Sequence, residues 1–266
     1  MEANIYQING EVLKKVEVPN IFEGEFRQDL VKRALLAEQS TKYQSQGHFP
    51  LAGMQTTATY VGRMGAYRSG RHMGIAIRPR QKLGGGAMGD VRRIPSSVKG
   101  KRAHPHKVEK IIKEMINLKE YRKALASAIA GTSNEQLVKA SHVLSIKLPI
   151  IVEDKIEQIS KTKDFASFIE KLKLGEDIER SHDPKIKKGL RRNSKLRHFR
   201  KSILVVAAED KGISRSARNI PGVDFCNVKE MSVEALAPAA KPRIVIWTES
   251  AVKQLAEAVS SARIKG

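Results

Sequence analysis

The side chains best equipped to do chemistry in this chain are guanidinium and ammonium groups, and they come in two runs. Residues 63–102 hold eleven: Arg63, Arg68, Arg71, Arg78, Arg80, Lys82, Arg92, Arg93, Lys99, Lys101 and Arg102, against one acid, Asp90. Residues 184–202 hold nine, Lys185, Lys187, Lys188, Arg191, Arg192, Lys195, Arg197, Arg200 and Lys201, and no acid. The runs carry +10 and +9 of a formal net charge of +21, so the rest of the chain is nearly neutral at +2. A solvated protein face mixes signs, whereas single-signed segments attract polyanions. Arginine outnumbers lysine eight to three in the first run. Its planar fork meets phosphate bidentately and stacks on bases. Tyr67, His72 and Met73 are interleaved there and can stack or wedge. With only 5% aromatic residues a stacking platform for single strands is disfavoured, and no helix-turn-helix or finger signature points to DNA. Structured RNA, bound by shape and backbone, fits best, with Lys187, Lys188, Arg191, Arg192, Lys195, Arg197 and Arg200 as the second set of contacts.

Other motifs carry less. Gly84-Gly85-Gly86-Ala87-Met88-Gly89 has the spacing of a dinucleotide fingerprint. That reading needs a strand before it and a helix after it, and Pro79 and Pro95 oppose both. A flexible glycine turn in a basic segment is the better reading. His104-Pro105-His106 lacks the third and fourth ligands a zinc site requires, since only Glu109 is near; His104 reads instead as a neighbour of phosphate contacts. Glu153-Asp154 and Glu176-Asp177 read as solvated turns, and Cys226 as a small apolar residue of a strand. No phosphate-binding loop, nucleophile elbow or zinc-protease helix is present. No catalytic residue, metal ligand or cofactor is assigned, and no small-molecule substrate is expected.

These groups need a scaffold. The chain has 266 residues, 41% hydrophobic, enough for a true core in one or two domains. Ile5, Tyr6 and Ile8 lead into Asn9-Gly10, a hairpin signal, with Val12, Val16 and Val18 beyond. Residues 26–45 predict a helix through Leu30, Val31, Ala34, Leu35 and Glu38. Residues 107–130 predict another, with a stripe of Val108, Ile111, Ile112, Met115, Leu118, Leu125 and Ile129, stopped by Gly131. Strands are expected at 148–152, 203–208, 223–228 and 243–247. Helices are expected around Phe165, Phe168, Ile169 and Leu172, and after Thr248, which caps a last helix facing inward with Val252, Leu255, Ala256 and Val259. Apolar runs alternating with helices predict an α/β fold, a mostly parallel sheet with helices on both faces.

Residues 63–102 hold eight of the 19 glycines and few large apolar side chains. They are expected to form a long extended basic glycine-rich loop that orders only on an anionic partner. The expected organisation is therefore a globular body of residues 1–45 and 107–266, an arm inserted at 46–106, and an exposed basic insertion at 184–202. The single cysteine fits a reducing compartment. No secretory signal is evident behind Met1-Glu2-Ala3-Asn4, and the longest aliphatic run, 203–208, is too short to span a bilayer. Leu190, Leu196 and Phe199 are too sparse to give the second run a lipid-facing side, so no membrane partner is expected.

The stretch from Arg92-Arg93-Ile94-Pro95-Ser96-Ser97-Val98-Lys99-Gly100-Lys101-Arg102-Ala103-His104-Pro105 through Lys107-Val108-Glu109-Lys110 resembles the universal fourth protein of the large ribosomal subunit, in its archaeal and eukaryotic branch. Residues 124–130 (Ala-Leu-Ala-Ser-Ala-Ile-Ala), 214–219 and Trp247-Thr248-Glu249-Ser250-Ala251 continue the match in order, and His106 departs from it where proline is expected. The resemblance implies a non-enzymatic cytoplasmic constituent of the large subunit that binds ribosomal RNA, neighbours other ribosomal proteins and aids assembly. It implies an α/β body with an arm threading into RNA, whose tip lines the exit tunnel and meets the nascent peptide. By that carry-over, residues 71–88 form the tip, with Arg71, His72, Met73, Arg78, Arg80 and Met88 as candidates. Arg92, Arg93, Lys99, Lys101 and Arg102, followed by His104 and Lys107, hold the stem on phosphates. The competing readings are an RNA-binding regulator outside the ribosome and an RNA-modifying α/β enzyme.

Overall fold

The computed structural model describes residues 2–67, 69–186 and 197–262. The chain starts as a hairpin, β1 (Glu2–Tyr6) against antiparallel β2 (Val12–Glu17). Gly10 turns it with a left-handed φ of +85°, where a side chain would be strained. Helix α1 (Gln28–Ser40) follows and buries Val31, Ala34, Leu35 and Glu38 along one face. A separate segment then carries β3 (Arg80–Lys82) and β4 (Met88–Val91), before the long helix α2 (Leu118–Ser133) and the short α3 (Glu135–Lys139). The rest alternates: β5 (Ile150–Val152), α4 (Thr162–Lys171), α5 (Gly175–His182), the two-residue strands β6 (Lys185–Ile186) and β7 (Arg197–His198), β8 (Ile203–Ala207), α6 (Ile213–Ala217), β9 (Asp224–Asn227), α7 (Val233–Leu236), β10 (Ile244–Thr248) and α8 (Glu249–Ser261).

Six strands form one sheet in the order β2-β1-β5-β10-β8-β9, antiparallel only at β1/β2 and parallel elsewhere. This is the α/β architecture expected from the apolar runs. Every residue of β5, β8 and β10 is buried, as strands covered on both faces require. The pleat sends alternate side chains to opposite faces. Leu204, Val206, Val245 and Trp247 pack with α1, α2 and α8, while Ile203, Val205, Ile244 and Ile246 pack with α4 and α6. Trp247 meets Phe22 edge to face with ring centroids 5.4 Å apart. In α8, Ala251, Val252 and Leu255 face the core; Ala256, expected inward, is exposed.

The predicted helix over 107–130 forms only from Leu118 to Ser133. Within it Tyr121, Ala124, Leu125, Ala128 and Ile129 make the buried stripe. The residues before it carry helical apolar spacing, yet Ile111 and Met115 are 86% and 84% exposed. An apolar stripe sustains a helix only where it has a surface to rest on, and isolated turns do not hold themselves.

The chain divides into two compact units, Met1–Lys42 with Lys113–Gly266, and Tyr43–Ile112. The sheet and both apolar cores belong to the first. Among the described residues, no helix is long and apolar enough to cross a membrane.

Candidate nucleic-acid interface

The unit Tyr43–Ile112 is held by backbone turns rather than by a core. Among its described residues Ala58 alone is buried. Strands β3 and β4 pair antiparallel, joined through the turn Gly84–Gly86, where Gly85 and Gly86 take φ of +65° and +85°. The glycine motif thus links two strands; no helix follows it, and the dinucleotide arrangement is absent there. The Thr59 amide donates to the Arg80 carbonyl (3.3 Å), adding a third, minimal strand to the hairpin. Further on, the Ser97 amide donates to the Ile94 carbonyl and the Gly100 amide to the Ser97 carbonyl. A Cβ on Gly100 would stand 1.9 Å from the Ile94 oxygen, and one on Gly53 2.3 Å from the Gly100 oxygen. Only glycine lets these backbones approach so closely.

The cations of this unit divide into two groups. Arg92 Nη2 donates to Asp90 (3.0 Å) and Nη1 to the Val98 carbonyl (2.5 Å), Arg93 donates to the Ala58 carbonyl (3.2 Å) and Arg80 to the Ala76 carbonyl (3.3 Å). These three arginines tie the unit's own backbone, so Arg92 and Arg93 are only partly available as phosphate anchors. Arg63, Arg71, Arg78, Lys82, Lys99, Lys101, Arg102, His104 and Lys107 are exposed. Of the tip candidates, Arg71, His72, Met73 and Arg78 are exposed, and His72 holds a left-handed φ of +61°. Arg80 and Met88 are half-buried and line a small cleft with Tyr60, Ile77, Arg78 and Lys82. Arg68 lies outside the described residues.

In the second run, Lys185 pairs with His198 and Ile186 with Arg197 across the antiparallel pair β6/β7. Lys187, Lys188, Arg191, Arg192 and Lys195 lie outside the described residues. Arg200 is half-buried on the body.

The feet of this run rest on polar clusters that sequence reasoning missed. Asp177 is fully buried in α5, not a solvated turn. It accepts from the Val143 amide (3.0 Å), from Arg180 Nε (2.8 Å) and from the Ser202 hydroxyl, and His142 Nδ1 lies 3.1 Å away. Burial alone would raise this carboxyl, but the hydrogen bonds from His142, Arg180 and Ser202 win and hold it far below the usual carboxylate range. Arg180 also donates to the Lys201 carbonyl (3.2 Å). Beside it, the buried Arg243 donates to Asp224 (2.6 Å) and to the Ser202 (3.0 Å), Gly222 (3.2 Å) and Ile203 carbonyls. Burial would raise Asp224 too, and Arg243 and Lys201 together keep it low. Ser202, supplied by the end of the run, thus bridges both clusters. The only signal was the polar pair Ser202 and Arg243 abutting apolar strands. Cys226 is half-buried, and burial pushes its thiol up to about 12, the behaviour of a neutral packing residue. Among the described residues no three His, Cys, Asp or Glu side chains converge as a metal site would require.

Comparison with known proteins now decides the family. A model described as the ribosomal protein L4/L1 family matches residues 16–258. The chain belongs to that family. It is 40% identical over 261 residues to the large ribosomal subunit protein uL4 of Archaeoglobus fulgidus, covering 97% of this chain and 99% of that one. It is 41% identical over 263 residues to the protein of that name from Methanocaldococcus jannaschii, and 39% over 261 to that from Methanoculleus marisnigri, with the same coverage. Membership makes it a ribosomal protein with a structural role, not an enzyme, and the enzyme reading falls away.

Proposed function

We propose that this chain anchors large-subunit ribosomal RNA through the cations of Tyr43–Ile112 and of the run at 184–202. We further propose that it thereby aids subunit assembly, and that the segment 71–88 lines the nascent-peptide exit tunnel. The family makes it a structural constituent of the large ribosomal subunit, working in the cytoplasm. One observation supports the finer reading. A segment with a single buried residue among those described leaves Tyr60, Met64, Met73, Ile77, Val98 and Ile111 more than a third exposed, beside thirteen exposed basic or imidazole side chains. Apolar surface of that extent, with almost no core, is stabilised only when something covers it. The charge specifies an anionic cover, and the glycines let backbone pass where RNA helices crowd. Other ribosomal proteins are the neighbours this position implies.

The test is the variant Lys101→Ala/Arg102→Ala/Lys107→Ala, three exposed residues with no ion pair among those described. Binding to a large-subunit RNA fragment is measured across a salt series. The log–log salt slope is expected to fall by about 2 to 3, at about 0.7–0.9 for each phosphate the variant no longer neutralises. Unchanged affinity and slope would remove this segment from the RNA interface.

A further inference from the structure

The Pro221-Gly222 turn touches the chain on both sides of the second basic run. The Val223 amide donates to the Ile220 carbonyl (3.2 Å), and Gly222 holds a left-handed φ of +77°. Proline followed by a glycine of positive φ is the pair a type II turn selects. Glycine is required there for a second reason. A Cβ on Gly222 would stand 2.6 Å from the Ser181 Cβ and Oγ and 2.8 Å from the Arg200 carbonyl oxygen. Ser181 lies in the last turn of α5, before the run begins, and Arg200 stands near the run's end. Only a residue without a side chain can sit against both.

Hydrogen bonds join the same three parts. The Ser181 hydroxyl donates to the Pro221 carbonyl (2.7 Å), and the Ser202 amide donates to the Gly222 carbonyl (2.8 Å). Arg243 donates to the Gly222 carbonyl as well (3.2 Å) and to the Ser202 carbonyl (3.0 Å). The Ser202 hydroxyl donates to Asp177, so every polar group of Ser202 is engaged. Asp177, Ser181, Ser202 and Arg243 are at most 1% exposed. Charges buried this deeply are weak stabilisers, since apolar residues of similar volume often serve as well. What a charge-assisted hydrogen bond adds is direction, and here it falls on the residues that end the run.

We propose that the turn at 220–223, with Ser181, Ser202 and Arg243, is a clamp that positions both ends of the run at 184–202, so that the run's affinity for ribosomal RNA depends on groups that touch none. The proposal rests on the RNA reading of that run. A run whose ends are fixed loses less conformational freedom on binding, so its affinity is higher for the same charge. The number of phosphates it neutralises is unaltered, so the salt slope does not change.

The test is a thermodynamic cycle on the full chain with a large-subunit RNA fragment. Gly222→Ala strains the turn and presses on Ser181 and Arg200. Lys187→Ala/Lys188→Ala/Arg191→Ala/Arg192→Ala removes four cations of the run. Gly222→Ala alone should weaken RNA binding by about tenfold, the scale of freeing one ordered backbone residue, at an unchanged salt slope. Added to the four-alanine variant, it should change affinity by less than about twofold, because its effect passes through the run. Circular dichroism and the denaturant midpoint show whether each variant is folded under the binding conditions. If Gly222→Ala is unfolded there, Ser202→Ala, which removes one hydroxyl, takes its place in the cycle with the same expected coupling. An equal loss in both backgrounds would mean general damage to the body, and no loss in the wild-type background would mean that the run needs no clamp. Either result overturns the proposal, while weaker binding by the four-alanine variant still leaves the run its RNA role. If the four-alanine variant binds RNA as the wild type does, the RNA reading of the run fails and the clamp fails with it.

Discussion

A carboxylate removed from water persists only where donors replace the water, and Asp177 has the Val143 amide, Arg180, Ser202 and the His142 ring around it. Its charged form is the favoured one, so folding lowers its affinity for protons. The folded value lies below the ordinary 3.8, so its contribution is complete above that pH and is lost as pH falls through the depressed folded value. Asp177→Asn should lower the unfolding free energy at neutral pH by about 3–5 kcal/mol, the cost of breaking a buried charge cluster by removing one member. Denaturant titration measures this. Repeated towards acid, the wild type should lose stability steeply below pH 3.8 and the variant should not, which narrows the gap between them. A gap that widens in acid would contradict the assignment. This residue was invisible in the sequence because its partners come from positions 142, 180 and 202. Glu176-Asp177 by itself has the pattern of an exposed helix start.

Elements were legible where the cause is local. The runs at 203–207 and 244–248 declare buried parallel strands because both faces are covered and every residue must be apolar. Thr248 declares a helix start because its hydroxyl can reach an orphan amide, and it accepts from the Ala251 amide at 3.3 Å. That hydroxyl also donates to Glu157 (3.2 Å). Thr248→Ala should therefore cost about 1 kcal/mol for the cap, and thermal unfolding with recovery in Thr248→Ser checks it. The segment before Leu118 shows the opposite case. Val108, Ile111 and Met115 keep helical spacing, but spacing says nothing about whether a surface lies opposite, and these side chains are exposed. The glycine-rich turn is similar. Its G-x-G-x-x-G spacing is real, and what decides its meaning is the strand Met88–Val91 that follows.

At the scale of the whole molecule, the apolar core is confined to one unit, while both units carry strong positive charge. Both apolar clusters lie in Met1–Lys42 with Lys113–Gly266, whereas Tyr43–Ile112 holds one buried alanine among its described residues. What was legible is the charge: the single-signed stretch 63–102 repels itself and has few large apolar side chains to bury. Which cations reach outward was not legible, since Arg80, Arg92 and Arg93 are turned onto backbone carbonyls by folds of the same segment. The central claim is that this unit acquires its order from ribosomal RNA. Backbone amide hydrogen exchange of the full chain, free and bound to a large-subunit RNA fragment, tests it most directly. In the free protein, amides of β8 and β10 should exchange slowly and those of 43–112 close to the rate of an open chain. With RNA bound, protection should spread across 43–112 and leave the body unchanged. Strong protection of 43–112 in the free protein, or none in the complex, would contradict the account.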